Sequence, residues 1–255
     1  MKKLVLFLLF AMPLFIAYSF EIPFIGNDEI ITETRTLPTY EQIEVSGAYR
    51  LVLTDGKVGE ITIKAPEKLL SSLETTVVNG ILKIGISRKH SFNTKITVYV
   101  PVDNHLKRVL TKGAVNVNAE KALESDELEL KIAGSGDMSA EVKANILNLK
   151  VSGAGDLKVQ VNVNTLDVQI SGAGDLKAYG TTKNLVVNVK GAGDVDAPNL
   201  KAEKAFLRIA GAGDITANVS KEVEAIILGA GDITVKGNPP VFSKTIKGVG
   251  RIQIE

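Results

Sequence analysis

The chain has 255 residues, no cysteine, and 30 basic against 29 acidic residues. Without cysteine it can form no disulfide, so its stability has to come from packing and hydrogen bonds. The nearly balanced charge, with no basic block, argues against nucleic acid as a partner, because nucleic-acid binding depends on a concentrated positive surface.

The first 19 residues have the pattern of a secretory signal peptide. Lys2 and Lys3 form a short basic start, residues 4–17 are almost entirely apolar, and Ala17-Tyr18-Ser19 places small residues where a signal peptidase reads them. The apolar run is shorter than the ~20 residues of a membrane-spanning helix. We therefore expect cleavage after Ser19, no transmembrane domain in the mature chain, and export to the periplasm, cell surface or medium. An uncleaved membrane anchor is the alternative.

Residues 20–36 are interpreted as a lead-in segment, and residues 37–125 as irregular strands. Alternating apolar residues predict strands at 61–63, 81–84 and 96–100, and residues 67–73 could form one or two helical turns. Residues 43–48 and 109–114 look like degenerate copies of the corner described next. We interpret this part as the first coils and a cap over the hydrophobic end of a repeat array. One domain is predicted over residues 37–255.

A four-residue turn, Gly-x-Gly-Asp, recurs along residues 126–255. Its spacings are 19, 19, 19, 20, 18 and 19 residues, which is the signature of a solenoid. The last copy departs from the pattern because Arg251 replaces the aspartate, as expected of a terminal coil. The seven copies begin at Gly134, Gly153, Gly172, Gly191, Gly211, Gly229 and Gly248.

Apolar residues flank each turn at every second position. They lie two, four and six residues before its first glycine and four and six after it, and Lys244 is the only polar residue among them. A period of two indicates strands with one buried face. The pattern predicts an all-β fold: a single-stranded parallel β-helix with coils of about 19 residues, stacked about 4.8 Å apart. Lys244 is expected to reach water after a bend at Pro239-Pro240.

Two glycines of each turn have a predicted structural role. We expect them where the chain turns sharply against the neighbouring coil, where positive φ and close backbone approach exclude a Cβ. These positions are Gly134, Gly136, Gly153, Gly155, Gly172, Gly174, Gly191, Gly193, Gly211, Gly213, Gly229 and Gly231.

The aspartates of the turns form a predicted column of carboxylates. Local capping is the main interpretation: each carboxylate would accept hydrogen bonds from N–H groups of its own turn. A calcium ladder is the alternative, because stacked carboxylates attract calcium. The column comprises Asp137, Asp156, Asp175, Asp194, Asp214 and Asp232.

No catalytic residue, cofactor site or metal site beyond that ladder alternative is predicted. His90 lies in a polar turn and His105 follows Asp103-Asn104, so both are expected at the surface. The Gly-x-Gly turns lack the third glycine and following helix of a dinucleotide site. An active site would interrupt the repeat, and no singular cluster of Asp, Arg, Lys and His does so.

The chain resembles a bacterial family, the auto-transporter adhesin head or GIN domain proteins. The resemblance rests on the repeated Gly-Ala-Gly-Asp turns, on Tyr40-Glu41-Gln42-Ile43-Glu44-Val45-Ser46-Gly47-Ala48, and on Thr76-Val77-Val78-Asn79-Gly80-Ile81-Leu82-Lys83-Ile84. It covers residues 36–255. It implies an exported β-helical protein associated with adhesion and with no established activity.

The function expected from these patterns is non-catalytic binding through the side faces of the β-helix. A glycan or an envelope protein is the expected partner. Outward residues Lys131, Lys150, Gln169, Asn188 and Arg208 could present regularly spaced donors, and Phe206 and Tyr179 are the candidate aromatic platforms in the repeats. A purely structural envelope scaffold and a degenerate polysaccharide-active enzyme are the alternatives.

Overall fold

A computed structural model describes residues 29–86 and 95–255. The signal peptide predicted at 1–19, the first part of the lead-in and His90 lie outside these residues. No helix in the described ranges is long and apolar enough to cross a membrane.

The elements are one short helix, α1 (Glu67–Leu70), and the strands β1 (Ile30–Thr36), β2 (Gln42–Gly47), β3 (Arg50–Thr54), β4 (Glu60–Pro66), β5 (Leu73–Val78), β6 (Ile81–Ile86), β7 (Thr97–Pro101), β8 (Arg108–Gly113), β9 (Asn116–Ala119), β10 (Leu123–Ile132), β11 (Met138–Val151), β12 (Leu157–Ile170), β13 (Leu176–Val189), β14 (Val195–Ile209), β15 (Ile215–Ile227), β16 (Ile233–Lys236), β17 (Val241–Ile246) and β18 (Ile252–Ile254).

The strands from β10 onwards form the predicted solenoid. Each pairs in parallel with the strand one coil away, and partners are separated by about 19 residues, as in Leu130 with Leu149 and Leu149 with Val168. This confirms the predicted parallel β-helix. Equivalent residues stack directly on one another because the ladder register carries over from coil to coil.

The predicted inward positions form the core. All of them are buried except four in the last coil, Phe242, Lys244, Ile246 and Ile254. Lys244 occupies the column of Leu130 and Leu149 but is exposed, as expected from its charge.

Each coil has two arms, which we define from the turn. The post-corner arm follows the Gly-x-Gly-Asp turn (138–144 in β11), and the pre-corner arm leads into the next one (146–151). Buried and outward residues alternate along both arms. The buried residues have even numbers in the post-corner arm (138, 140 and 142) and odd numbers in the pre-corner arm (147, 149 and 151). The two arms belong to one continuous strand, and its pairing with β12 keeps the same 19-residue register on both sides of Asn145. A further inward position that the pattern did not reveal is occupied by Val142, Val161, Leu200 and Val219.

Unequal turn spacings have a local cause. The register between β13 and β14 shifts between Lys177 and Tyr179, because β14 carries an additional residue there. The register shifts again between β14 and β15, after Ala197 and after Ala202. These bulges absorb the 20-residue and 18-residue coils while the turns themselves stay stacked.

The N-terminal strands continue the stack and then close it. The two degenerate turns lie in register, with Gly47 paired with Gly113, and a Cβ on Gly134 would meet the Gly113 carbonyl. β1 pairs antiparallel with β4 along its whole length. No strand was predicted in residues 30–36, which were interpreted as part of the lead-in segment. The Arg35 guanidinium fastens β1 by donating to the carbonyl oxygens of Leu70 and Leu73 at 2.9 and 2.6 Å.

Candidate functional site

The turn glycines lie where successive coils approach most closely. A Cβ on Gly153 would lie 1.8 Å from the carbonyl oxygen of Gly134, and one on Gly174 would lie 2.1 Å from that of Gly155. No real Cβ contact is that short. The expectation of positive φ is wrong for most of these residues: among the turn glycines only Gly231 and Gly250 have it, at 158° and 147°. Coil stacking, more than backbone conformation, is what excludes a side chain.

The turn aspartates form a hydrogen-bonded ladder between coils. Oδ1 of Asp156 accepts the backbone N–H of Asp175 at 2.9 Å, and Oδ1 of Asp175 accepts that of Asp194 at 2.8 Å. The predicted bond from each residue's own turn is wrong, because the donor belongs to the next coil. Each carboxylate therefore links two neighbouring coils and helps to fix their register.

Different residues occupy the two ends of this ladder. Asn116 begins it, with Oδ1 accepting the N–H of Asp137 at 2.9 Å. Arg251 ends it by donating its backbone N–H to Asp232 Oδ1 at 2.8 Å and its guanidinium to Oδ2 at 3.2 Å. The backbone and side-chain bonds from Arg251 lower the pKa of Asp232 below its ordinary value.

Calcium should not change the stability of the ladder. One oxygen of each carboxylate is already engaged by a backbone N–H, and the described residues contain no group of three or more His, Asp or Glu side chains arranged to hold a metal ion. We expect the same melting temperature in millimolar calcium and in chelator, measured by circular dichroism. A rise of several degrees in calcium would instead support the ladder as a cation site.

The outer surface of the pre-corner arms carries charges that are partly used between coils. Lys150 forms an ion pair with Glu129 at 2.5 Å, and Arg108 contacts the same carboxylate at 2.8 Å. Burial raises the pKa of Glu129, but the two cations lower it more, so its net pKa lies below the ordinary value. Lys131, Lys150, Gln169, Asn188 and Arg208 do stack in one column. Within this column the Lys150 ammonium is already ion-paired with Glu129.

An open groove of about 750 Å³ lies on the outer surface of the post-corner arms, at the N-terminal end of the aspartate ladder. It forms where β7, β3, β9 and β11 lie side by side in that order. We call this feature the ladder groove. Six of its lining residues carry the chemistry discussed below: Arg50, Tyr99, Asn116, Asn118, Asp137 and Lys158.

Two columns of side chains line the ladder groove. The first runs in register through Lys64, Thr97, Arg50, Asn116 and Asp137 and continues as the aspartate ladder. The second runs through Tyr99, Val52, Asn118, Ser139 and Lys158. Cationic residues thus lie at one end of the first column and carboxylates at the other, with an aromatic ring beside the cationic end.

Tyr99 is the aromatic side chain of the groove. Its ring is half-buried, and the Lys64 ammonium lies 5.0 Å from the ring centroid, which is a cation–π distance. The predicted aromatic candidates lie elsewhere: Tyr179 and Phe206 are both half-buried and do not line the groove. His105 is exposed in its loop, with Nδ1 3.3 Å from Asp103 Oδ2, as expected.

A family model matches most of the chain. The model for "Putative auto-transporter adhesin, head GIN domain" matches residues 39–179 and 139–239. The chain belongs to this family. No curated protein is similar enough to this GIN-domain protein to give a match.

Solved structures of three other proteins have the same fold. A putative lipid binding protein from Parabacteroides distasonis is 25% identical with a TM-score of 0.82, covering 90% of this chain and 98% of its own. A putative adhesin from Parabacteroides merdae is 22% identical with a TM-score of 0.80, covering 90% and 97%. A putative adhesin from Bacteroides fragilis is 24% identical with a TM-score of 0.67, covering 89% and 97%.

The groove of this GIN-domain protein was not predicted from its sequence. Alternation around Val98 and Val117 does place Tyr99 and Asn116 on an outer surface. The pairing of β3 with both β7 and β9 is not sequential, so the repeat pattern gave no indication that these residues meet.

Proposed function

We propose that this protein is an exported, non-catalytic adhesin that holds a glycan chain in the ladder groove. The observation that carries the proposal is the composition of that groove: one accessible aromatic ring beside amide, hydroxyl and charged groups, on a rigid sheet. Sugars are bound by stacking of their apolar ring face on an aromatic side chain and by hydrogen bonds to their hydroxyl groups.

The regular stacking of coils supports a polymer as the ligand. Asn118, Ser139 and Lys158 are successive residues of one column, so hydrogen-bonding groups recur about every 4.8 Å along the groove. A chain lying across the coils would meet a new polar side chain at each step. The groove is also open at the surface, which leaves room for the rest of a polymer to continue beyond it.

Family membership and the leader support the remaining parts of the proposal. The family description names an adhesin head, and the signal-peptide pattern of residues 1–19 favours export. Non-catalytic action is favoured because the aspartates of the ladder repeat from coil to coil, whereas an active site would interrupt the repeat.

The proposal is tested by incubating the purified mature protein with a panel of bacterial and host polysaccharides, measuring retention and polymer length together. We expect retention without shortening. Tyr99→Ala should weaken retention by about tenfold or more, since loss of an aromatic contact of ~1–3 kcal/mol corresponds to that range. Binding is measured by affinity electrophoresis.

Tyr179→Ala is the matched control, because it removes a half-buried outward tyrosine from β13 outside the groove. It should bind like the wild type. Shortened polymer would establish an enzyme. Absence of retention across the panel would favour the scaffold alternative, and equal loss in both variants would move the site away from the groove.

A further inference from the structure

We propose that the ligand of the ladder groove ends in an acidic sugar that lies against Tyr99 with its carboxylate on Arg50, and that neutral sugars extend from it toward Asp137. The inference rests on the proposed function and adds the class of glycan: an oligosaccharide with a terminal acidic sugar. Two features of the groove favour such a ligand: the Arg50 guanidinium and the distribution of charge along the lining.

Arg50 presents its guanidinium to the groove without a side-chain partner among the described residues. Its side chain is exposed and lines the groove, and no hydrogen bond or ion pair to it occurs within residues 29–86 and 95–255. Many other cations of the surface are paired, including Arg35, Lys112 and Arg251. A guanidinium presents two parallel N–H donors that match a carboxylate, so Arg50 is free to bind one from a ligand.

Backbone contacts hold Arg50 in place. Its strand, β3, lies between β7 and β9, with Thr97 on one side and Asn116 on the other. The backbone N–H of Arg50 also donates to the carbonyl oxygen of Ile96 at 3.1 Å. The backbone of Arg50 is therefore fixed on a rigid sheet, and only the rotamer freedom of its side chain is lost when a ligand binds.

The charge pattern restricts the ligand to one acidic end. Lys64 and Arg50 lie on the cationic side, and Asp137 and Asp156 continue the same column on the other. Beyond Arg50 the groove lining carries four carboxylates, of Glu120, Asp137, Asp156 and Asp175, against two ammonium groups, of Lys158 and Lys177. A polymer with a carboxylate on every sugar would therefore meet a net negative lining there and be repelled. A ligand with one terminal acidic sugar fits this lining. Its carboxylate binds Arg50, and the hydroxyl groups of the neutral sugars that follow can donate hydrogen bonds to the carboxylate oxygens of the aspartates.

The test compares two oligosaccharides that differ at one group. One ends in glucuronic acid and the other in glucose; a second pair ends in galacturonic acid and galactose, so that ring stereochemistry does not decide the result. We expect the wild type to bind one acidic member about tenfold to hundredfold more tightly than its neutral partner, the range of a charge-assisted hydrogen bond. The preference should decrease in high salt. Binding is measured by isothermal titration calorimetry.

Arg50→Gln should abolish the preference, so that the acidic and neutral members of each pair bind equally, and Arg50→Lys should retain part of it. Arg208→Gln, which removes an arginine from the outer surface of a pre-corner arm of β14, should behave like the wild type. Equal binding of acidic and neutral members would overturn this inference and leave glycan binding intact. If no member of either pair binds and the polysaccharide panel is also negative, both proposals fall.

Discussion

Replacing Gly174 by valine should leave the protein largely unfolded under conditions where the wild type is folded. Its Cβ would lie 2.1 Å from the carbonyl oxygen of Gly155 and 3.0 Å from the Val151 side chain. The obstructing atom is backbone of the preceding coil, so relief requires the coils to separate and their ladder to break. We expect a loss of at least ~4 kcal/mol, the upper end for single substitutions. Urea denaturation followed by circular dichroism measures it.

Ala173→Val is the matched control for this prediction. Ala173 is the exposed middle residue of the same turn, so the substitution adds two methyl groups at a side chain that solvent reaches. It should change stability by less than ~0.5 kcal/mol. Gly193→Val, one coil further, should repeat the effect of Gly174→Val. Wild-type stability in both valine variants would contradict the stacked-turn arrangement.

Replacing Leu149 by lysine should destabilise the protein almost as strongly. Leu149 is 1% exposed and lies in an apolar column between Leu130 and Val168. The ammonium would be buried in the middle of the solenoid without a partner, which costs about 3–5 kcal/mol. Thermal unfolding should show a melting temperature lowered by about 6–20 °C.

The chain contains its own control for that substitution. Lys244 occupies the same column but is exposed in the last coil. Lys244→Leu changes the same pair of residue types in the opposite direction at a position without burial, so the melting temperature should change little. If Leu149→Lys were tolerated as well as Lys244→Leu, the assignment of Leu149 to the interior would be wrong.

The repeated half of the fold could be predicted because its signals are redundant. The column of Leu130, Leu149 and Val168 repeats at the spacing of the turns, so register, burial and stacking follow from one measurement of period. The N-terminal strands lack this redundancy. β1 is half-exposed and pairs antiparallel with β4, and neither its edge position nor its partner has a signature in local sequence.

Two details of the turns were predicted incorrectly for the same reason. Reasoning from neighbours in the chain gave Asp175 a donor in its own turn and gave Gly174 a positive φ. In the structure both residues are determined by the adjacent coil, which supplies the N–H of Asp194 and the carbonyl of Gly155. Contacts between coils dominate in a solenoid, and sequence reasoning within one repeat does not include them.

The ladder groove depends on the order β7, β3, β9, β11, which brings residues 50, 99 and 116 together from separate parts of the irregular region. The predicted strand at 96–100 alternates in a way that places Tyr99 outward, but no strand was predicted at residue 50 or 116. Their meeting could not be predicted, because nothing in the sequence fixes which strand lies beside which.

A crystal structure of the protein with a bound oligosaccharide ending in an acidic sugar would test the central claim most directly. We expect electron density for the ring of the acidic sugar against Tyr99, with the carboxylate of that sugar on the Arg50 guanidinium and the neutral end of the oligosaccharide toward Asp137. Density on the pre-corner surface beside Asn188 and Arg208, with the ladder groove empty, would contradict it.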